Sequence, residues 1–339
     1  MTDATLARMR DELHRADLDA WLLYDFRGTN PVAGRLLDLD AGLLSRRIFA
    51  LVPREGTPRL LVSRLEVGSL RAPGFDVRAY GGRAELEREL RALLPEGGRV
   101  AMEFSPRADL PYVSHVDAGT VQLLEALLAD TGGSLHGSAN LLQAFAAWTP
   151  AQVAAHREAA AAVMEVLEGA WARIDARLAA GETVRETEVQ ADVADAFDAR
   201  GFTYAHRAIV AFGPHGGDPH YAPRAGEDRA LAPGDPVLID LFARRPEVGA
   251  PYADVTWMGV YGAPDPAFAA AWEAVRDARE VGVATLEAAF AAGRAIQGWE
   301  VDRAVRSHLA DAGYADAFVH RTGHSLGSEH THGDAVHFD

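Results

Sequence analysis

The sequence predicts an α/β (α+β) fold in two domains, a small N-terminal one over residues 1–148 and a second, internally duplicated one over residues 149–339. Three observations carry this. A chain of 339 residues exceeds the size that one hydrophobic core usually organises. Its first part mixes short strand-like runs with amphipathic helical stretches, the pattern of a small sheet covered by helices. Its second part repeats itself at a fixed offset.

In the first part, Leu6, Met9 and Leu13 mark one face of an opening helix. Strand-like runs follow at Ala20–Tyr24, Ile48–Val52, Arg59–Val62 and Arg99–Met102, with helices over Glu85–Leu94 and Val121–Leu128. His115 and Asp117 are read as structural or surface residues. The boundary falls near Trp148, where Thr149 can cap a long helix with Pro150 at its first position.

Composition excludes several classes of chemistry. Cysteine is absent, which removes disulfides, thiolate zinc sites and a cysteine nucleophile together. All 33 basic residues are arginine, so Schiff-base chemistry, a phosphate-loop lysine and a Ser-Lys dyad are excluded as well. A net charge of -16 argues against nucleic acid or an anionic membrane as partner. No apolar run approaches the length of a membrane span, and the first residues lack the pattern of a signal peptide, so the expected location is the cytoplasm.

The duplication is read from residue pairs 112 positions apart. Ala180-Gly181, Glu188-Val189, Val193 and Gly201-Phe202 recur as Ala292-Gly293, Glu300-Val301, Val305 and Gly313-Tyr314. Each copy reads as a long helix ending at Ala-Gly, a second helix running to the next glycine, and a strand. Asp265-Pro266 opens the second long helix as Thr149-Pro150 opens the first. Two such halves facing each other make a cleft, where ligands tend to bind. The first copy is completed by a hairpin over residues 236–261; its counterpart would fall near 348–373. The expectation is therefore a catalytic domain incomplete at its C-terminal end, the chain being a truncated form of a longer protein.

That hairpin carries the first chemistry. Asp240 follows Val237, Leu238 and Ile239, and Asp254 precedes Val255, Trp257 and Met258, in two β-rich segments joined by a loop with two prolines and a glycine. A symmetric hairpin centred on residue 247 sets the two aspartates opposite each other, with Cβ atoms about 5 Å apart. Facing carboxylates on half-buried strands call for a cation between them or a proton on one. The second cluster is Phe318–Asp339, which holds His320, His324, His330, His332 and His337 among glycine-rich turns, a density that suggests metal binding or proton transfer. His330 and His337 are read as surface or core histidines. His220 adds an imidazole from the first repeat. A rival lies in the same stretch, because Gly323-His324-Ser325-Leu326-Gly327 fits the nucleophile elbow of serine hydrolases. The twelve residues after it include Glu329, Asp334 and His337 but leave no room for the helix and strand an elbow requires.

Taken together, the two-aspartate hairpin, the stretch His320-Arg321-Thr322-Gly323-His324 and the loop Pro219-His220-Tyr221 resemble the M24 metallopeptidases of the Xaa-Pro dipeptidase and aminopeptidase type. The resemblance covers nearly the whole chain and implies a creatinase or "pita-bread" fold. It implies two divalent ions, manganese before cobalt or zinc, sharing a hydroxide that attacks the bond preceding proline. Asp240 would chelate one ion, Asp254 bridge both and His324 ligate the second; His220, His320 and His332 would contact substrate and the developing oxyanion. Substrates would be proline-containing di- or oligopeptides, and the family suggests a homodimer. This chain departs from the pattern in three places. The loop between the aspartates is longer. The family's second outer histidine, seven residues after the ligand, falls on Thr331, so that His332 is assigned through a one-residue insertion, with His330 as the alternative. The two glutamate ligands expected near the family's C-terminus are missing, which leads us to expect weak metal occupancy and low activity in this form. A metal-free peptide-binding protein and a creatinase-like C–N hydrolase are the alternatives.

Overall fold

The computed structural model describes residues 1–38, 40–41, 44–68, 70–108, 110–333 and 337–339. The chain divides into two units, Met1–Ala147 and Trp148–Asp339.

The first unit runs α1 (Asp3–Arg15), β1 (Ala20–Phe26), α2 (Pro31–Leu37), β2 (Asp40–Ala41), β3 (Arg47–Pro53), β4 (Arg59–Ser63), β5 (Leu70–Arg71), β6 (Asp76–Tyr80), α3 (Arg83–Leu93), β7 (Arg99–Met102), α4 (Ala118–Ala129), β8 (Ser134–Gly137) and α5 (Ala139–Ala146). Six strands form a mixed sheet in the order β6-β4-β3-β1-β7-β8. Its central strands are apolar on both faces because both faces are covered. Trp21, Leu23, Ala50 and Val62 pack with α1, α2 and α5, while Leu22, Tyr24, Phe49 and Leu61 pack with α3 and α4. The four expected strands and the expected helices α1, α3 and α4 are present; β6 and β8 were not expected. Both are edge strands with few buried side chains, so neither carries an apolar run. Asp117 caps α4, accepting the Thr120 N–H at 2.9 Å, and takes the Tyr24 hydroxyl at 3.0 Å, which is the structural role expected of it.

The second unit runs α6 (Pro150–Ala179), α7 (Glu186–Ala199), β9 (Ile209–Phe212), β10 (Pro236–Ala243), β11 (Ala253–Val260), α8 (Pro266–Ala291) and α9 (Gly298–Asp311). The duplication is exact in register at the backbone. Helices α7 and α9 are both 14 residues long and start 112 positions apart, each opened by a glutamate at its third position that accepts the backbone N–H of the preceding cap residue at 2.9 Å, Glu188 from Arg185 and Glu300 from Gln297. Gly181 and Gly293 follow the long helices at φ +74° and +63°, left-handed positions that glycine adopts without strain. The equivalent positions Gln190 and Asp302 both tie their helix to the segment that follows, by different bonds: Gln190 donates to the Ala208 carbonyl at 2.8 Å, and Asp302 accepts the Thr322 N–H at 2.9 Å. Helix α8 differs only in starting one turn later, and is 26 residues long against 30 for α6.

The halves diverge at the strand. In the first, β9, β10 and β11 form an antiparallel sheet whose inward side chains Val210, Phe212, Val237, Ile239 and Leu241 bury against α6 and α7. Gly259 of β11 leaves room for the Trp171 indole, which would lie 2.8 Å from an added Cβ. In the second, the expected strand is reduced to an isolated bridge, Gly323 with Phe338. Among the described residues no strand runs beside it as β10 runs beside β9. Helices α8 and α9 consequently share a smaller core of Ala274, Ala278, Val305 and Leu309, flanked by an apolar groove of about 520 Å³.

Candidate active site

The inward side chains of β10 fix what its other face can do. With Val237, Ile239 and Leu241 in the core, alternation turns Leu238, Asp240 and Phe242 to the opposite face. Asp254 and Thr256 of β11 share that face. The register pairs Asp240 with Thr256 and Phe242 with Asp254, which corrects the expected opposition of the two aspartates. The last ladder pair is Ala243 with Ala253, so the loop is centred on residue 248 and not 247. Arg244 is drawn instead into backbone bonds with Thr203, of 2.9 and 3.0 Å, and Tyr252 N–H donates to the Gly327 carbonyl at 2.9 Å. These ties shift the pairing by two residues, which keeps both carboxylates on one face but sets them diagonally, roughly 7 Å apart.

Asp240 accepts the Thr256 hydroxyl at 2.7 Å. Burial pushes its carboxyl up; the Thr256 bond opposes this, and the Asp254 charge adds to the rise. His324 approaches from the segment after α9, its Nε2 3.5 Å from Asp254 Oδ2. Its other nitrogen decides its chemistry. Nδ1 lies 2.9 Å from the Ser325 carbonyl, which can only accept, so Nδ1 carries a proton. Nε2, aimed at a carboxylate, must then be protonated too or share a cation with Asp254. The Asp254 hydrogen bond accordingly raises the imidazole's pKa. An imidazole oriented by a backbone carbonyl on one nitrogen and facing a carboxylate with the other is the arrangement metal-binding histidines use. In donor chemistry these residues fit a divalent ion; among the described residues, no three such groups are close enough together to hold one.

The outer histidines are placed unevenly. His332 stacks on His324, ring centroids 3.9 Å apart. Its Nδ1 sits 3.1 Å from an Arg321 guanidinium nitrogen, which can only donate, leaving the proton on Nε2. Burial, with His324 and Arg321 beside it, lowers its pKa and keeps it neutral. His320 is exposed, its Nδ1 2.7 Å from the Arg321 carbonyl, and with His324 it borders the α8–α9 groove. His220 is exposed at the end of the loop that follows β9; no hydrogen bond or ring contact among the described residues engages its imidazole. Gly216, in the same loop, rests against Leu238, so the loop crosses the face that carries Asp240. His206 was not foreseen. Its ring meets Phe242 edge-on at 4.6 Å, and its charge is felt by Asp240. A single histidine in a polar loop gives no signal in sequence.

The sequence pattern of metallopeptidase family M24 matches residues 154–338, more than half of the chain. The chain belongs to metallopeptidase family M24. Its relatives agree. It is 32% identical over 286 residues to the probable dipeptidase PepE of Mycobacterium bovis, covering 83% of this chain and 69% of that one. Its fold is similar to the crystal structure of dipeptidase PepE from Mycobacterium ulcerans, with a TM-score of 0.62 and 28% identity over 98% of this chain and 82% of that one. A prolidase from Thermococcus sibiricus shares the fold at a TM-score of 0.55 and 20% identity, over 98% and 84% of the two chains. The architecture is thus the pita-bread fold, and the chemistry of an M24 chain with dipeptidase relatives is peptide hydrolysis.

The rival serine motif has no support in this M24 chain. Ser325 Oγ is buried without a hydrogen-bond partner among the described residues, so no base activates it. Asp334, one acid of the conceivable triad, lies outside the described residues. His337 is buried and its pKa falls to about 4 through that burial, in line with a core histidine. Among the described residues, no helix is long and apolar enough to cross a membrane.

Proposed function

We propose that this M24 protein hydrolyses the peptide bond preceding proline in di- or oligopeptides, with Asp240, Asp254 and His324 supplying part of the ligand set for two divalent ions. The observation that carries the reading is His324 itself: one nitrogen is committed to the Ser325 carbonyl while the other is aimed at Asp254 from 3.5 Å. When bound, such ions polarise the scissile carbonyl and make water nucleophilic near neutral pH. The chain's own residues do the rest. Asp240 is steadied by the Thr256 hydroxyl, and the stacked His332, protonated on Nε2, has a donor available to a developing oxyanion. His220 and His320, both exposed, are the groups free to meet the substrate and the leaving imide nitrogen. Specificity for proline rests on the resemblance of residues 219–221 and 320–324 to the Xaa-Pro branch. Manganese is the first choice of metal on the same ground. A cytoplasmic homodimer is in keeping with the acidic, cysteine-free composition.

The test is substrate choice. The natural gene product, supplied with manganese, is expected to cleave an Xaa-Pro dipeptide or an Xaa-Pro-Xaa peptide at least tenfold faster than the Xaa-Ala equivalents, in line with roughly 10–200-fold discrimination by small shape differences. Equal rates would remove proline from the reading, and cleavage of creatine-like C–N bonds instead would move it to the creatinase class.

A further inference from the structure

Glu186 is wholly buried in the first turn of α7, and its side-chain hydrogen bonds among the described residues all go to the stretch from the end of β9 toward β10. One oxygen accepts the Phe212 N–H at 2.6 Å and faces His215 Nδ1 at 2.9 Å; the other accepts the Tyr221 hydroxyl at 2.7 Å and the Arg229 N–H at 2.7 Å. A carboxylate offers about four acceptor sites, and here all four are taken. The His215 and Tyr221 rings also touch each other, centroids 4.4 Å apart and tilted by 34°, so the two side chains that meet the carboxylate support one another. Burial and the Glu186 charge raise the Tyr221 phenol's pKa, which keeps it a donor. These contacts bracket one loop: Phe212 ends β9, His215 and Tyr221 lie either side of residues 216–220, and Arg229 leads back toward β10. Inside the bracket are Gly213, at φ +56°, Gly216 and Gly217, a short 3₁₀ turn whose glycines bring no side chains of their own to anchor it. At its end stands His220, exposed, its backbone N–H donated to Asp218 Oδ1 at 2.9 Å and its imidazole engaged by no hydrogen bond among the described residues.

We infer that Glu186 is the positioning residue for His220, a buried carboxylate that fixes the 213–221 loop so that this imidazole meets the substrate. The inference rests on the proposed role of His220 in peptide hydrolysis. Glu186 touches no reacting atom and acts only through the loop. A glutamine in its place keeps the shape but, whichever way its amide is turned, puts an N–H donor against the backbone N–H of Arg229 or of Phe212, so the loop loses its fixed place.

A double-mutant cycle on the natural gene product tests this. Glu186→Gln is expected to lower kcat by about 10²-fold, the cost of misplacing a catalytic group by about 1 Å, with a much smaller change in KM. In a His220→Ala background the same change is expected to cost no more than about twofold, because the group it serves is gone. Full additivity of the two losses overturns the inference while leaving His220's role intact. A His220→Ala enzyme as active as wild type overturns the proposed role of His220, and the inference with it. Tyr221→Phe removes one tie without exposing a buried charge; run through the same cycle, it carries the test if Glu186→Gln does not fold.

Discussion

Replacing Asp254 with alanine is expected to lower kcat/KM for peptide hydrolysis by on the order of 10³-fold or more and to strip the natural gene product of divalent metal. Asp254 is the residue on which both halves of the candidate centre depend. It shares a strand face with Asp240 and is the carboxylate that His324 Nε2 approaches. Without it, Asp240 is left as a single half-buried carboxyl and His324 loses the carboxylate that its Nε2 faces. The fold is expected to survive. Removing Asp254 takes away a charge that pushes the Asp240 carboxyl up, and the face lies away from the core residues Ile239 and Leu241. Metal content by mass spectrometry and steady-state kinetics on the same preparation check the prediction; full metal retention with full activity would contradict it.

The second large effect is on stability and arises in the first unit. Glu103 is completely buried, accepting hydrogen bonds from the Trp21 indole and from Asn30 Nδ2. Burial outweighs these donors and lifts its carboxyl from 4.5 to about 7. Between those values the folded protein holds a proton that the unfolded chain releases, so stability from this group falls as pH rises through the window. The slope is about 1.4 kcal/mol per pH unit, or on the order of 3 kcal/mol across it. The full contribution is present below about pH 4.5 and gone above about pH 7. Denaturant unfolding of wild type and Glu103→Gln across this range checks it. The difference between the two should shrink or reverse with pH in the stated direction, whereas parallel curves would show that Glu103 does not titrate there.

Much of the scaffold could be read from the chain because it is written in local chemistry. The duplication at 112 residues is a repetition of helix ends: alanine-glycine stops, a capping glutamate, a proline at the first turn. Such signals act over a few residues and survive without any knowledge of packing. The central strands were equally plain, since burial on both faces leaves continuous apolar runs. Strands β6 and β8 were missed because an edge strand needs no such run. The hairpin shows where local reading ends. Its two aspartates were correctly given to facing strands, and parity put them on one face, but the register depended on Thr203 holding Arg244 and Gly327 holding Tyr252, contacts from distant parts of the chain. The same holds for Glu186, which in sequence is an ordinary acidic residue of a helix's first turn. Its role exists only once Phe212, His215, Tyr221 and Arg229 have converged on it. His324 and His332 were assigned through the resemblance to the M24 family and do lie together, whereas His220 and His320 are exposed, with no contact to either aspartate among the described residues.

The most direct test of the metal centre is to remove the metal. The natural gene product is treated with a chelator, dialysed, and assayed on an Xaa-Pro dipeptide before and after a divalent ion is restored. Hydrolysis is expected to vanish on chelation, to return with manganese or cobalt, and not to return in Asp254→Ala. Hydrolysis that persists in the metal-free protein, and is lost instead on Ser325→Ala, would contradict that expectation.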